Sequence, residues 1–403
     1  MVLKVFQLYK DSFSGLSRSV WILSLIMLIN RAGAMVLPFM ALYLTTSLDY
    51  SLSQAGWIMG AYGAGSIIGA YLGGWLTDRY GYYYIQLYSL IVSGILLLFL
   101  IFLTGFYPIL FTVFSISVIA DSLRPANSVA IAAYAKPQNR TRSYSLMRFA
   151  ANLGFSIGPA VGGIVAGSFG YKWIFLIDSM TCLMAAFILL KYLPFDKTKL
   201  PVKRDLNIAR SPSAYKDWEY LTFIILVALW GTSFFQLFTS VPVFWAKEWD
   251  FSETKIGLLL ALNGFIIVLF EMPIVRSLEN YTRYMIMISI GSFLLVISFI
   301  FLLSGSNFLM AALLFVVFMS FAEIFAMPFM TNYSVSRPSE DRRGQYMALY
   351  AMAFGFAHIS APLGSLTIAD NYGFYNLYIM LIVLCLILTY AFYSLRRRSL
   401  GTG

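Results

Sequence analysis

The chain has 403 residues, of which 60% are apolar and only 11% are charged, and its mean hydropathy is +0.78. Soluble domains are about a quarter charged, so this composition excludes an ordinary soluble protein and indicates an integral membrane protein. The net charge of +10 does not indicate a nucleic-acid partner, because the basic residues lie mainly on alternate connections between apolar stretches. Such connections face the cytoplasm. We therefore expect a multi-pass protein of a bacterial inner membrane with both termini cytoplasmic.

Twelve apolar stretches are long enough to cross roughly 30 Å of hydrocarbon, which takes about 20 helical residues. In chain order these spans one to twelve cover residues 19–46, 53–77, 83–104, 107–135, 143–168, 171–193, 219–246, 252–275, 284–304, 307–335, 345–369 and 373–395. None of them alternates apolar and polar residues as a barrel strand would. The sequence therefore predicts an all-α integral membrane protein with twelve transmembrane helices.

The longest polar stretch lies between spans six and seven and divides the chain into two similar halves. The segment that leads into span five resembles the one that leads into span eleven, and "ADSLRPANS" in span four resembles "AEIFAMPFM" in span ten. We predict an N-terminal six-helix bundle at 1–193, a cytoplasmic linker at 194–218 and a C-terminal six-helix bundle at 219–403. Parallel repeats of this kind are typical of transporters whose binding site lies between the halves near the middle of the membrane.

Two glycine-containing patterns relate the chain to a known family. The stretch "GGWLTDRYGYYY" after span two has the spacing G-x-L-x-D-R-x-G, and span five has G-x-x-x-G-P-x-x-G-G. With these patterns in place, the chain resembles the major facilitator superfamily over nearly its whole length, and most closely the twelve-helix drug/proton antiporter branch. The resemblance implies two pseudo-symmetric six-helix bundles that work by alternating access.

Both patterns predict residues that act in gating. Asp78 is expected to accept hydrogen bonds from the start of span eleven near Gly344 and Gln345, where the helix dipole is positive. Arg79 is expected to pair across the same loop or to contact lipid phosphate. Tyr82 and Tyr83 replace the basic residues that are usual in the family, and we expect them to be interfacial anchors. The remaining predicted gating residues are Gly74, Gly81, Arg148, Gly154, Gly158, Pro159, Gly162 and Glu271.

Ionisable residues at mid-membrane depth are the candidates for proton coupling, because they cost several kcal/mol unless they face a partner or a wet cavity. Glu323 in span ten is the first candidate, since a carboxyl group in a partly dry cavity can load and release a proton. Asp121 and Arg124 lie three residues apart in span four and could instead simply pair with each other. His358 has a suitable unperturbed pKa but could equally be a buried structural histidine.

Substrate binding is predicted for polar and aromatic side chains in the spans. Arg31 can present a bidentate fork to a carboxylate; it could anchor a substrate, switch between Glu323 and Asp121, or form a permanent salt bridge to Asp121. The other predicted substrate-binding residues are Asn30, Tyr43, Trp230, Gln236 and Asn332.

We therefore expect a proton-coupled secondary transporter of small organic solutes, similar to a drug/proton exporter, with a small-molecule substrate, protons and the lipid bilayer as its partners. Proton-driven uptake of small peptides or organic anions is an alternative, as is a non-transporting receptor on the same fold. We predict no enzyme activity, no cofactor, no metal and no nucleic-acid partner, because the sequence lacks nucleotide-binding and metal-binding motifs. A monomer is expected.

Overall fold

The computed structural model describes residues 15–135, 139–193, 214–278, 283–304, 307–338 and 343–399. Within these ranges the chain is almost entirely helical and has no strand, so the all-α prediction is confirmed. The N-terminal lead-in up to residue 14 and most of the predicted linker lie outside the described residues.

Every predicted span corresponds to a helical stretch. Nine spans are continuous helices: Leu52–Tyr80, Tyr82–Leu100, Arg140–Phe169, Tyr171–Tyr192, Glu253–Ser277, Tyr284–Leu302, Phe308–Ser336, Arg343–Tyr372 and Phe374–Ser399. Three are interrupted: Arg18–Gly33 with Val36–Leu42, Phe106–Asp121 with Leu123–Tyr134, and Trp218–Phe234 with Ser240–Lys247. Among the described helices, 11 spans are long and apolar enough to cross a membrane. Span two is not among them, because its 29 residues include seven glycines, which lower its hydropathy.

Proline explains where spans one, four and seven are interrupted. Pro38, Pro125 and Pro242 each stand at the third residue of the second helical segment. A proline has no N–H to donate to the carbonyl four residues earlier, but it fits the first turn of a helix, where that N–H has no partner anyway. Each span therefore ends one helix before its proline and starts another. Span seven bridges its gap with a 3₁₀ turn at Phe235–Phe238, and span one continues beyond Leu42 as a π-helical turn at Tyr43–Ser47.

The chain forms two compact units, each of which is discontinuous in sequence. The first comprises residues 1–36 and 65–204, and in it the first segment of span one packs on spans five and six, while span three packs on spans four and six. The second comprises residues 37–64 and 205–403, and in it span nine packs on spans ten and twelve, span seven on span eleven, and span eight on span ten. The predicted division at 193 and 219 stays a prediction.

Glycines allow residues 52–64 of span two to pack closely on span eleven within the second unit. A Cβ at Gly63 would lie 2.5 Å from the carbonyl oxygen of His358, and one at Gly56 would lie 2.9 Å from that of Pro362. Near the end of span eleven, Asp370 accepts hydrogen bonds from the backbone N–H of Ser53 at 3.2 Å and from its hydroxyl at 2.6 Å. This contact places the first part of span two in the second unit.

The later glycines of span two face a different helix, within the first unit. Cβ atoms at Gly65, Gly69 and Gly73 would overlap with span four, around Phe114, Val118 and Ser122 respectively. Small residues at three- and four-residue spacing allow two helices to approach closely, and these glycines do so here. Span two therefore packs on span eleven through its first part and on span four through Gly65, Gly69 and Gly73.

Replacing Gly63 by Ala should destabilise the protein by about 1–3 kcal/mol, because the added methyl group would overlap with backbone atoms of span eleven that cannot move away cheaply. The matched control is Gly364→Ala on span eleven, where a Cβ meets nothing within 4 Å. Alanine has a higher helix propensity than glycine by up to about 1 kcal/mol, so the control should be neutral or stabilising. Thermal unfolding of both purified variants measures the difference, and equal stabilities would contradict the packing described for span two.

Candidate functional site

Span four carries an ion pair at its interruption. Arg124 Nε lies 2.6 Å from Asp121 Oδ1, across one helical turn. The side chain of Asp121 is 4% exposed, whereas that of Arg124 is 50% exposed. Between them, the hydroxyl of Ser122 donates to the carbonyl of Gly69 at 3.0 Å and to that of Val118 at 2.8 Å. The pairing predicted for Asp121 and Arg124 is confirmed.

The two oxygens of Asp121 have different surroundings. Oδ1 accepts from Arg124, whereas Oδ2 is buried and accepts no hydrogen bond from any residue that the structure describes. Asp121 is thus paired through one oxygen and, among the described residues, has no hydrogen-bond partner at the other. Its predicted role in proton coupling stays a prediction.

Asn30 and Arg31 lie near the end of the first segment of span one, beside spans five and six. The Asn30 side-chain amide donates to Cys182 Sγ at 3.5 Å. Arg31 is close enough to Asp178 of span six for the two charges to interact. Asp178 was not among the predicted partners of Arg31, which were Asp121 and Glu323.

The span-five pattern packs against this part of span one. A Cβ at Gly154 would lie 2.7 Å from Arg31 Cβ, and one at Gly158 would lie 3.3 Å from the Arg31 carbonyl oxygen. Pro159 and Gly162 follow in the same uninterrupted helix. The glycines thus let span five approach the backbone that carries Arg31, and the gating role predicted for this pattern stays a prediction.

Trp230 and Gln236 are completely buried beside the interruption of span seven. Trp230 stacks on Phe234 with ring centroids 5.4 Å apart. Gln236 donates to the carbonyl of Thr232 at 2.9 Å and accepts from the hydroxyl of Ser240 at 2.6 Å, so it bonds across the gap between the two segments. In this conformation neither side chain presents surface to a ligand, and their predicted role in substrate binding stays a prediction.

The other candidates of the second unit differ in exposure. Tyr43 is buried in the π-helical turn of span one. Glu323 is partly exposed in span ten, and Asn332, later in the same helix, is exposed. The His358 ring stacks on Phe235 with centroids 3.9 Å apart. Among the described residues, no group of three or more His, Cys, Asp or Glu side chains is placed to hold a metal ion.

The stretch "GGWLTDRYGYYY" is helical except at one residue. Asp78 and Arg79 are exposed in the last turn of span two, and the Arg79 guanidinium lies over the rings of Trp75 and Tyr80 at 5.5 and 5.4 Å. Gly81 has a φ of 87°, a value that favours glycine, and it makes the turn between spans two and three. A Cβ at Gly74 would meet nothing within 4 Å.

The interfacial role predicted for Tyr82 and Tyr83 is wrong. Their exposed fractions are 3% and 6%, and both belong to the hydrophobic core of the first unit. Tyr82 packs edge-to-face on Tyr134 of span four, and Tyr84 is the exposed member of the three. Span three begins directly after Gly81, so its first turn already lies inside the bundle.

Arg148 and Glu271 lie on spans five and eight. Arg148 is exposed and Glu271 is partly exposed. Glu271 could pair with Arg276 five residues later, but the side chain of Arg276 lies outside the described residues. The gating roles predicted for both residues stay predictions.

The sequence matches the family model described as Major Facilitator Superfamily over residues 20–248 and 240–402. These two matches cover nearly the whole chain. The chain belongs to the major facilitator superfamily.

Two curated members of this superfamily show what its distant relatives do. The chain is 23% identical to a Na⁺, Li⁺, K⁺/H⁺ antiporter of Planococcus maritimus, over 86% of this chain and 88% of that protein. It is 25% identical to the class H tetracycline resistance protein of Pasteurella multocida, over 66% of this chain and 68% of that protein. Among solved structures, a POT family transporter in complex with 5-aminolevulinic acid matches with a TM-score of 0.80 and 16% identity, over 96% and 97% of the two chains.

One ionic cluster of this superfamily member was not predicted from its sequence. Arg337, just after span ten, donates from Nε to Asp217 Oδ2 at 2.7 Å and from Nη2 to Glu219 Oε2 at 3.0 Å. The hydroxyl of Tyr346 donates to Asp217 Oδ2 at 2.9 Å, and Arg337 also bonds to the hydroxyl of Tyr333. The cluster ties the start of span seven to the end of span ten and the start of span eleven.

The electrostatics of the cluster favour its charged form. Burial opposes ionisation of Asp217, but the hydrogen bonds from Arg337, the Tyr220 N–H and Tyr346 outweigh it and hold the pKa of this carboxyl below its usual value. Asp217 also caps span seven, because its Oδ1 accepts from the Tyr220 N–H at 3.0 Å. The sequence "KDWEY" carried a signal for this cap, since Asp directly before an apolar helix is a preferred N-cap residue.

Replacing Asp217 by Asn should lower the free energy of unfolding by about 1–3 kcal/mol at neutral pH, because it removes charge-assisted hydrogen bonds from Arg337. Since the folded-state pKa is lowered, the contribution of Asp217 is complete above its ordinary value of 3.8 and is lost as the pH falls through the folded-state pKa. The difference in thermal unfolding between wild type and variant should therefore stay constant between about pH 8 and pH 5 and shrink below about pH 4.

The matched control is Asp250→Asn, which changes an exposed acid with a φ of 52° in the same unit. Asparagine tolerates this conformation, so this variant should unfold like the wild type. A pH-independent difference for Asp217→Asn would mean that the cluster contributes through shape and not through charge.

Proposed function

We propose that this protein is a proton-coupled secondary transporter of small organic solutes that works by alternating access, most like a drug/proton exporter. The observation that carries the proposal is the buried carboxyl group of Asp121, which is bonded to Arg124 through one oxygen and unpartnered among the described residues at the other. Acidic groups within membrane spans are costly and mark proton or substrate pathways. The relative named as a Na⁺, Li⁺, K⁺/H⁺ antiporter supports exchange against protons, and the relative named as a tetracycline resistance protein supports an organic solute.

Glu323 supplies the second proposed proton site. It stands in span ten, five residues before Pro328, in a helix that continues through that proline. The residue is partly exposed, but its carboxyl oxygen Oε2 is buried, as Oδ2 of Asp121 is. We propose that Glu323 exchanges protons with the cavity, while Asp121 with Arg124 and His358 form the remaining titratable set.

Asn30 and Arg31, together with Tyr43 and Asn332, are the side chains we propose for substrate contact. Trp230 and Gln236 belong to the predicted set as well, and both are buried at the interruption of span seven in this conformation. The proposal places the protein as a monomer in a bacterial inner membrane with both termini cytoplasmic, in keeping with the distribution of basic residues along the sequence.

The first experiment identifies a solute. Purified protein is screened by thermal shift against organic cations, organic anions and small peptides, because a ligand that binds the folded state raises its apparent stability. Each hit is then added to proteoliposomes that contain a pH indicator. A solute-dependent change of internal pH supports a proton-coupled transporter, whereas binding without movement of solute or protons in either direction would favour the receptor alternative.

Replacing Glu323 by Gln should abolish concentrative, proton-driven transport of such a solute while solute exchange stays measurable, because the amide keeps the shape of the side chain but cannot carry the proton. The matched control is Glu248→Gln, an exposed acid in the loop after span seven, which should transport like the wild type. Full concentrative transport by Glu323→Gln would remove this residue from the coupling mechanism.

Uptake of small peptides or organic anions is the second candidate, and the guanidinium of Arg31 is the observation that favours it. Replacing Arg31 by Ala should weaken binding of anionic hits about tenfold or more, since hydrogen bonds between charged groups are the strong ones, and should affect cationic hits much less. Arg18→Ala, at the exposed first residue of span one, is the control. Equal losses for both ligand classes would assign Arg31 a purely structural role.

A further inference from the structure

Asp178 of span six is a buried acid to which neither the predicted site nor the proposed function gives a role. Its exposed fraction is 6%. One oxygen, Oδ2, accepts from the Val36 N–H at 3.4 Å, and the other, Oδ1, lies 3.9 Å from Cys182 Sγ. Arg31 is near enough for the two charges to interact. The carboxyl group is therefore surrounded by donors, and it faces the interruption of span one.

The interruption of span one needs such an acceptor. The helix that begins at Arg18 ends at Gly33, and the next segment begins at Val36. Backbone N–H groups at a break in a helix have no carbonyl partner within the helix, and within hydrocarbon the protein itself must supply one. Asp178 does so for Val36, while Asn30, on the other side of the break, bonds to Cys182.

At the break in span one the chain also passes from the first compact unit to the second. The first compact unit ends at Val36 and the second begins at Leu37, so the hydrogen bond to Asp178 holds the last residue of span one that belongs to the first unit. Beyond it the chain belongs to the second unit until Ala64. A change of charge at Asp178 therefore acts where span one passes from one unit to the other.

The titratable groups that face Asp178 are Arg31 from span one and Cys182 from its own span. Span three meets this part of span six at Gly94, whose carbonyl accepts from Ser179 at 2.6 Å. Span five meets span one at Gly154. Spans three and five therefore present glycines here, which carry no charged side chain. The charges at this site are those of Asp178 and Arg31.

We propose that Asp178 is a proton-binding coupling residue whose protonation releases Arg31 and loosens the break in span one. The ionised carboxylate attracts the guanidinium and accepts from the backbone at the break. Once it takes a proton from solvent, it loses its charge, the attraction to Arg31 disappears and the bond to the backbone weakens. This inference deepens the proposed function and rests on it, because it links a proton to the residue proposed to contact substrate.

Asp178→Asn separates this role from a structural one, because the amide oxygen still accepts from Val36 but cannot gain or lose a proton. Hydrogen–deuterium exchange of the full chain is followed on peptides covering residues 34–42, with labelling times scaled for the intrinsic effect of pH. In the wild type, protection of these amides should fall about tenfold as the pH is lowered through the protonation of Asp178, which is the effect of losing one hydrogen bond to a charged group. In Asp178→Asn it should not vary with pH.

The matched control for exchange is Asp121→Asn, which changes another buried acid of the first unit and should keep the wild-type pH dependence at residues 34–42. Identical pH dependence in the wild type and Asp178→Asn would overturn the proposal. So would a wild type whose protection does not change with pH.

Transport measurements separate this inference from the proposed function. If wild-type proteoliposomes move solute without protons, the proposed function fails, whatever exchange shows at residues 34–42. If they move protons and Asp178→Asn keeps the full pH profile of transport, the proposed function stands and the role of Asp178 is overturned. Loss of pH dependence in Asp178→Asn, with solute binding retained, is the result we expect.

Discussion

The structure depends on one constraint, which is that polar groups within hydrocarbon must find their partners inside the protein. Spans one, four and seven are interrupted beside a proline, whereas the prolines of spans five, eight, ten and eleven lie inside continuous helices. At each of the three interruptions a side chain bonds to the backbone. Asp178 accepts from the backbone of span one, Ser122 bonds to two carbonyls at the break of span four, and Gln236 bonds across the break of span seven. Arg31, Asp121 with Arg124, and Gln236 lie at or beside these breaks.

The acidic residues of the chain have different hydrogen-bond and charge partners, and this difference bears on their roles. Asp121 has an arginine on one oxygen and nothing among the described residues on the other, whereas Asp178 accepts from the Val36 N–H and interacts with the charge of Arg31. Asp217, outside the spans, shares Arg337 with Glu219 in a network with short hydrogen bonds. The fully bonded Asp217 network stabilises one arrangement, and the coupling roles of the acids within the spans stay proposals.

Much of the fold could be predicted from the sequence, because apolar length and the placement of basic residues follow directly from the membrane. The pairing of Asp121 with Arg124 was predictable for the same reason, since it is local to one helical turn. The contact of Asp178 with span one was not predicted, because sequence spacing does not show which helices pack together. Tyr82 and Tyr83 were misplaced because the motif was taken as a loop, whereas Gly81 alone makes the turn and the tyrosines begin a buried helix. The substrate set is the least predictable part, because it depends on which helix faces line a cavity.

The central claim is that solute movement and proton movement are coupled in this protein. The most direct test is to hold a solute gradient across proteoliposomes and find the opposing pH gradient at which net solute flux stops. The account predicts that flux stops at a finite pH gradient that shifts in proportion to the solute gradient, which also gives the number of protons exchanged per solute. A solute distribution that follows its own gradient at every pH difference would contradict it.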